Sequence, residues 1–124
     1  MENCRFETQF FNSKGFKQLK YFTSQLTSDI TDNQFINNNC EDLNLHDVSI
    51  SSEGINGKLK KWLASKEPRK LKFWIKTRGI GWNIDTVLRD TVAIRYTKDT
   101  YKLMRKDGIV GYVCVLDFDV QFYQ

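Results

Sequence analysis

The chain has 124 residues, of which 40% are hydrophobic and 14% aromatic. This length fits one domain spanning residues 1–124, and this apolar share excludes a wholly disordered chain. No apolar run approaches the roughly 18 residues that cross a bilayer, so no membrane partner is expected.

Cysteine usage and the opening residues indicate the compartment. Three cysteines at wide spacing, Cys4, Cys40 and Cys114, do not form a disulfide framework. The opening residues MENCRFETQF lack the apolar segment of a signal peptide. We therefore expect an intracellular protein, cytoplasmic or nuclear and not secreted. The bias toward Asn, Lys, Ile and Phe is typical of an A/T-rich genome such as that of a phage, virus or protist.

Positive charge is concentrated in residues 58–78, which we call the basic block. The chain as a whole carries a net charge of +4. Residues 1–57 hold four Lys or Arg against eight Asp or Glu, the basic block holds nine against one, and residues 79–124 hold six of each. A block of this kind attracts nucleic acid or an acidic protein.

Hydrophobic periodicity predicts the elements of the N-terminal half. Phe16, Leu19, Phe22, Leu26 and Ile30 recur at helical spacing. A change of parity at His46–Asp47 predicts a β-bulge or a late start of the strand. The predicted elements are a strand over 3–11, a helix over 15–29, an irregular Asn-rich connection over 31–42, a strand over 43–51, an EGING turn, and a short helix over 57–66.

The C-terminal half is predicted to contain three strands and one helical or turn segment. Residues 69–77 alternate, with Leu71, Phe73 and Ile75 on one face and Lys70, Lys72, Trp74 and Lys76 on the other. The remaining predictions are a loop over 78–85, a strand near 90–97, a helical or turn segment over 98–108, and one long strand over 109–123. In the strand near 90–97, Val92, Ile94 and Tyr96 are expected to point inward and Arg95 outward.

The predicted order is therefore β-α-β-α-β-β-β. This order indicates an α+β fold, a mostly antiparallel sheet of about five strands with two helices packed on one face.

The alternating basic strand provides the first functional hypothesis, a non-enzymatic protein that binds nucleic acid through a basic, aromatic sheet face. Lysines neutralise phosphates, and an exposed indole stacks on a base. Trp74 would stack, and the predicted phosphate contacts are Lys70, Lys72, Lys76 and Arg95, extended by Lys58, Lys60, Lys61 and Arg78. If Asp117 and Asp119 lie on a neighbouring strand, they would instead neutralise these lysines.

The alternative hypothesis is a protein-interaction or inhibitor module, of phage or viral type, that docks on an acidic partner. Trp74 and Trp82 would anchor that partner, because aromatic side chains carry much of the energy of protein interfaces. Trp82 could equally fold back over the edge of the core. A third possibility is a subunit of a larger assembly.

Catalysis and metal binding have little support in the sequence. Asp117 and Asp119 could share a divalent cation as in nucleases, but such a site needs another acidic residue. Cys40 and His46, the single histidine, lack the further ligands and the spacing of a zinc site. No enzyme activity, cofactor or metal is predicted.

Overall fold

The computed structural model describes residues 5–67, 70–77 and 81–124. Within them the chain forms five helices and one nine-stranded sheet. The helices are α1 (Thr8–Phe11), α2 (Lys14–Lys17), α3 (Asp32–Asn37), α4 (Ser52–Ala64) and α5 (Ile84–Val87). The strands are β1 (Arg5–Phe6), β2 (Tyr21–Ser24), β3 (Thr27–Ser28), β4 (Asp42–Val48), β5 (Lys72–Thr77), β6 (Ile94–Arg95), β7 (Thr100–Met104), β8 (Val110–Val115) and β9 (Asp119–Tyr123).

The sheet is parallel in its N-terminal half and antiparallel in its C-terminal half. Its strand order is β1-β3-β4-β5-β9-β8-β7-β6, and β2 pairs with β4 beside β3. All pairs among β1 to β5 are parallel, and all pairs from β5 through β9, β8 and β7 to β6 are antiparallel. Strand β9 lies between β5 and β8 and so joins the two halves.

The helices cover one face of this sheet. Parallel strands need a crossover connection, and α3 and α4 supply two of them, from β3 to β4 and from β4 to β5. Phe35 of α3 lies edge-on to Phe73 of β5, with ring centroids 5.3 Å apart, and Trp62 of α4 lies 4.9 Å from Phe122 of β9. The core therefore sits between these helices and the sheet.

The short N-terminal elements pack on the same side as α3. Five phenylalanine rings, contributed by β1, α1, α2 and β2, form one contact cluster in which each ring lies within 4.7–6.5 Å of another. These rings belong to Phe6, Phe10, Phe11, Phe16 and Phe22. Aromatic pairs at such distances add stability beyond the burial of their area.

The opposite face of the sheet, called here the open face, carries no helix among the described residues. Alternate residues of each strand point to it, because successive side chains of a strand point to opposite faces. Phe73, Ile75, Val113 and Phe122 on the helix side are buried. Their neighbours on the open face are half-buried or exposed, among them Asn44, Lys72, Trp74, Gln121, Tyr112, Tyr123, Lys102 and Met104.

Several sequence predictions are confirmed. The fold combines helices on one face with a sheet whose strand pairs are four antiparallel and four parallel, so the prediction of an α+β fold holds broadly, although the counts and order of elements differ from it. In β5, Phe73 and Ile75 are buried as expected. The register between β4 and β5 shifts between Leu45 and Val48, and Asp47 has a positive φ of 56°, so the bulge at His46–Asp47 is present.

The helix predicted over 15–29 is wrong. It is replaced by α2, β2 and β3, and two of its five supposed core positions, Leu19 and Leu26, are exposed. Residues 21–24, Tyr-Phe-Thr-Ser, favour a strand, and pairing with β4 outweighs the helical spacing. The strand predicted over 3–11 is likewise reduced to β1, followed by α1.

Two helices in the middle of the chain differ from the predictions. The polar connection predicted over 31–42 contains α3, which begins with a capping box between Thr31 and Gln34 and buries Phe35 completely. Helix α4 begins at Ser52, one residue before the predicted EGING turn, and includes that turn, because the hydroxyl of Ser51 accepts the Gly54 N–H and caps the helix.

The C-terminal strands differ most. The long strand predicted over 109–123 is a hairpin of β8 and β9, closed by the Leu116 N–H bonding the Asp119 carbonyl at 2.8 Å. The segment 98–108 contains β7 and a turn at Gly108, whose φ of 88° suits glycine. The strand near 90–97 shrinks to β6, and Val92, Ile94 and Tyr96 are exposed rather than inward.

Candidate binding surface on the open face

Strand β5 carries its cations beside acidic residues of the neighbouring strands. Lys72 is in register with Asp42 of β4, and Lys76 is in register with Asp119 of β9. Opposite charges at directly opposed positions attract each other across a sheet. Asp119 thus lies beside the basic strand, in a position where its carboxylate can neutralise a lysine of that strand.

The Trp74 side chain already has partners within the protein. Its indole N–H donates to the Asp119 carboxylate at 3.3 Å. The Lys76 ammonium lies 5.5 Å from the indole centroid, and the His46 ring lies 5.9 Å from it. Stacking of Trp74 on a nucleic-acid base stays a prediction, and it would require these contacts to rearrange.

The three lysines of α4 do not form one exposed patch. Lys58 was predicted on the polar side of the helix, yet it is buried, and its ammonium donates to the carbonyls of Ile36 and Asn38 at 3.3 and 3.1 Å. Lys60 forms an exposed ion pair with Asp90 at 3.2 Å. Lys61 donates to the side chain of Asn37 at 3.3 Å. Each ammonium therefore has a specific partner.

The remaining predicted phosphate contacts are scattered. Lys70 is exposed just before β5, whereas Arg78 lies outside the described residues. Arg95 is in β6, separated from β5 by β9, β8 and β7. Its register partner Tyr101 also pairs with buried Val113, so Arg95 is on the helix side, and its guanidinium donates to the Lys98 carbonyl. Arg95 does not join the lysines of β5.

Trp82 folds back onto the core. It is half-buried against the core cluster, and its backbone N–H donates to the Asp117 carbonyl at 3.3 Å. A Cβ on the preceding Gly81 would come within 2.6 Å of the same oxygen, so glycine permits this close approach. The indole N–H of Trp82 is buried and has no hydrogen-bond partner in the described part of the chain.

A surface that the sequence did not predict occupies the open face of the antiparallel half. We call it the tyrosine patch. The Tyr112 and Tyr123 rings stack at 5.5 Å with an interplanar angle of 27°, and Tyr96 lies 5.3 Å from Tyr112. Four of its members are exposed, Ile94 (63%), Tyr96 (64%), Met104 (56%) and Tyr123 (43%), and the fifth, Tyr112, is half-buried.

The sequence did not predict the tyrosine patch because the long strand predicted over 109–123 leaves out the turn at 116–118. Reading 109–123 as one strand put Tyr112, Cys114, Val120 and Phe122 on one face. The turn over 116–118 changes the parity, so that Tyr112 faces outward while Val120 and Phe122 face inward. Alternation of Val120 and Phe122 with Gln121 and Tyr123 was the available signal, since it marks a separate strand with its own inner face.

Charged residues of both signs lie around the tyrosine patch. Lys102 lies on the open face between Ile94 and Tyr112 in the strand register. Lys98 is exposed beyond Tyr96. Asp42 and Asp119 lie toward β4 and β5, on the other side of Trp74 and Gln121. The patch is therefore apolar and aromatic with Lys102 within it, whereas Lys98 lines a surface cavity together with Asp99, Asp117 and Asp119.

No metal centre or membrane span is present in the parts that the structure describes. No group of three or more His, Cys, Asp or Glu side chains could hold a metal ion there. Asp119 accepts the indole N–H of Trp74, and Cys40 is buried. None of the described helices combines the length and the apolar character needed to cross a membrane.

Comparisons with protein-family models, with curated proteins and with solved structures give no match to this chain. The open face, with its stacked tyrosines and flanking lysines, is therefore the candidate binding surface.

Proposed function

We propose that the protein is a non-enzymatic, intracellular binding module that docks on a partner protein through the tyrosine patch. The observation that carries the proposal is a group of large apolar and aromatic side chains on one sheet face, of which Ile94, Tyr96, Met104 and Tyr123 are exposed and Tyr112 is half-buried. Monomeric proteins rarely expose contiguous apolar patches of this kind unless the patch binds something. Tyrosine is moreover one of the residues most often found at the energetic centres of protein interfaces.

The aliphatic members favour a protein over a nucleic acid. Ile94 and Met104 offer no flat ring on which a base can stack, but they fit an apolar surface of another protein. The cations of β5, which a nucleic acid would need for its phosphates, stand opposite Asp42 and Asp119. This arrangement reduces the phosphate affinity of that strand.

The partner would present an apolar centre with acidic residues at its margin. Lys102 lies within the tyrosine patch and Lys98 lies beside it. Complementary charges at the rim of an interface mainly accelerate association and orient the partners. An acidic protein with an exposed apolar surface is therefore the proposed occupant.

Affinity capture with matched variants tests the proposal. The immobilised wild-type chain is compared with the double variant Tyr96→Ser/Tyr123→Ser in a lysate of the source cells. We expect one or more acidic proteins to be retained by the wild type and to bind the double variant at least about 30-fold more weakly, because interface tyrosines often contribute about 2 kcal/mol each.

Tyr21→Ser is the control variant. Tyr21 is 68% exposed, more than either patch tyrosine, and it lies in β2 at the far side of the sheet. It should retain the same proteins as the wild type. Equal retention by all three chains, or no enrichment over blank resin, would contradict the proposal.

A second candidate function is binding of single-stranded nucleic acid to the same face. The stacked pair of Tyr112 and Tyr123 favours it, because two adjacent rings offer a platform for successive bases. Lys70, Lys72 and Lys102 would contact phosphates. Fluorescence anisotropy of a labelled single-stranded oligonucleotide tests it, and affinity should fall steeply with added salt. Absence of binding at low salt would leave the protein partner as the surviving proposal.

A further inference from the structure

A cavity of about 150 Å³ lies at the carboxyl ends of α3 and α4, away from the open face. Its lining includes Lys58, Lys61, Lys70, Trp62 and Leu71. A cavity of this volume can accommodate a molecule the size of benzene. It therefore has room for a small organic ligand, and its walls combine cations with an indole and an aliphatic side chain.

Lys58 is the buried cation of this cavity. It is only 6% exposed, and two of its three N–H groups are used by the carbonyls of Ile36 and Asn38. The Phe35 ring lies near the third N–H group, with its centroid 5.5 Å from the ammonium nitrogen. No described carboxylate lies within ion-pair distance of it. The carbonyls at the carboxyl end of α3 offset part of the cost of burying this ammonium, and an anion that enters the cavity would offset more of it.

The electrostatic environment of Lys58 agrees with this geometry. Burial, and then the nearby ammonium of Lys61, lower the pKa of Lys58 to about 8. Two cations on successive turns of one helix thus lie close enough to repel each other. Below that pKa Lys58 is charged, and an anion bound between the two ammonium groups would relieve the repulsion.

The charge balance of the lining sets the charge of the ligand. Arg105 also lines the cavity, but its guanidinium is already paired with Asp107 and stacked over Trp62. The other charged residues of the described lining are three lysines, Lys58, Lys61 and Lys70, and two glutamates, Glu41 and Glu67, and Glu67 already interacts with another residue. The described lining therefore has more cations than anions, and the excess is small enough to suit a singly charged anion.

We propose that this cavity binds a small carboxylate with an apolar or aromatic body. The carboxylate would accept the third N–H of Lys58 and N–H groups of Lys61, and the body would pack against Trp62 and Leu71. This inference is independent of the tyrosine patch, which lies on the other face of the sheet. It assigns a ligand to a site that the proposed function does not use.

Benzoate and its neutral analogue benzamide are the probes. In a titration followed by amide chemical shifts, benzoate should move the signals of residues around the cavity and benzamide should not, at equal concentrations. Lys58→Met should weaken benzoate binding by at least about tenfold, because a charge-assisted hydrogen bond is lost. Lys60→Met, about half a turn from Lys58 on α4 and paired with Asp90, is the matched control and should bind as the wild type does.

Lys61→Met is a second test for the case in which Lys58→Met does not fold, and it should weaken benzoate binding too. The proposal is overturned if benzoate causes no shifts at the cavity, if benzamide causes the same shifts, or if Lys60→Met weakens binding as much as the cavity variants do. The tyrosine-patch variants Tyr96→Ser/Tyr123→Ser should leave benzoate binding unchanged, so the two proposals fail separately.

Discussion

The basic block and the tyrosine patch differ in a way that their sequences do not show. The basic block carries nearly all of the excess positive charge, yet Lys58, Lys60, Lys61 and Lys76 each have a specific partner inside the protein. The tyrosine patch draws on residues 94–123, which lie in a segment whose charges balance. In contrast to these partnered lysines, the large side chains of the tyrosine patch are largely exposed. Charge in a sequence therefore does not measure the charge that is available to a partner.

The largest expected effect is on the free energy of unfolding, and it compares the two faces of β9, the strand that contributes Tyr123 to the tyrosine patch. Phe122 is fully buried, stacked 5.5 Å from Phe73 and in contact with Trp62, whereas the adjacent Tyr123 points to the open face. We expect Phe122→Ala to lower the free energy of unfolding by about 3–5 kcal/mol. We expect Tyr123→Ala to lower it by less than about 1 kcal/mol.

Urea unfolding of both variants, followed by far-ultraviolet circular dichroism, measures this difference. Similar losses for both would mean that Tyr123 is part of the core, and the distinction between the open and covered faces of β9 would fail.

A second prediction concerns pH and separates Lys58 from the surface lysines of the basic block. Its pKa of about 8 in the folded protein lies below the ordinary 10.5, so between these values the unfolded chain binds more protons than the folded one. Stability should therefore rise with pH in this window, by about 1 kcal/mol between roughly pH 7 and pH 9. Burial raises the pKa of the Cys40 thiol, and this opposes the rise at higher pH.

Urea unfolding across this range tests the assignment. Lys58→Met should remove the increase, whereas Lys60→Met, in which an exposed ion pair is lost, should retain it. If the two variants respond to pH alike, Lys58 is not the group that causes the dependence.

The smallest predicted effect tests whether Trp74 is held within the protein. A double-mutant cycle between Trp74→Phe and Asp119→Asn removes the indole N–H and the carboxylate charge separately and together. We expect a coupling energy of about 0.5–1.5 kcal/mol, the usual range for one hydrogen bond. A coupling near zero in unfolding experiments would leave the Trp74 ring free, and it would strengthen the case for nucleic acid.

Local signals predicted some elements correctly because the local and tertiary preferences agree there. The alternation of β5 matches its burial, and the parity change at His46–Asp47 marks a real bulge. By contrast, Phe16 and Phe22 share helical spacing, but both are drawn into the phenylalanine cluster by different elements. Tertiary packing overrides the periodicity at that point.

The candidate site was the least predictable part. Which lysines are engaged depends on distant groups, such as the carbonyls at the end of α3 for Lys58 and Asp90 for Lys60. These contacts join residues separated by 20 or more positions, and no local pattern encodes them. The tyrosine patch depends on four strands lying side by side, β6 to β9, and a single turn at 116–118 decides whether the side chains of β8 and β9 face outward.

The position of β9 has a consequence for how the protein is made. The last strand along the chain occupies the middle of the sheet, between β5 and β8. During synthesis the parallel half and the β7–β8 hairpin can each form early, but they have no shared strand until residues 119–123 leave the ribosome. Until then β5 and β8 both present an unpaired edge, the condition in which partly folded chains associate with one another.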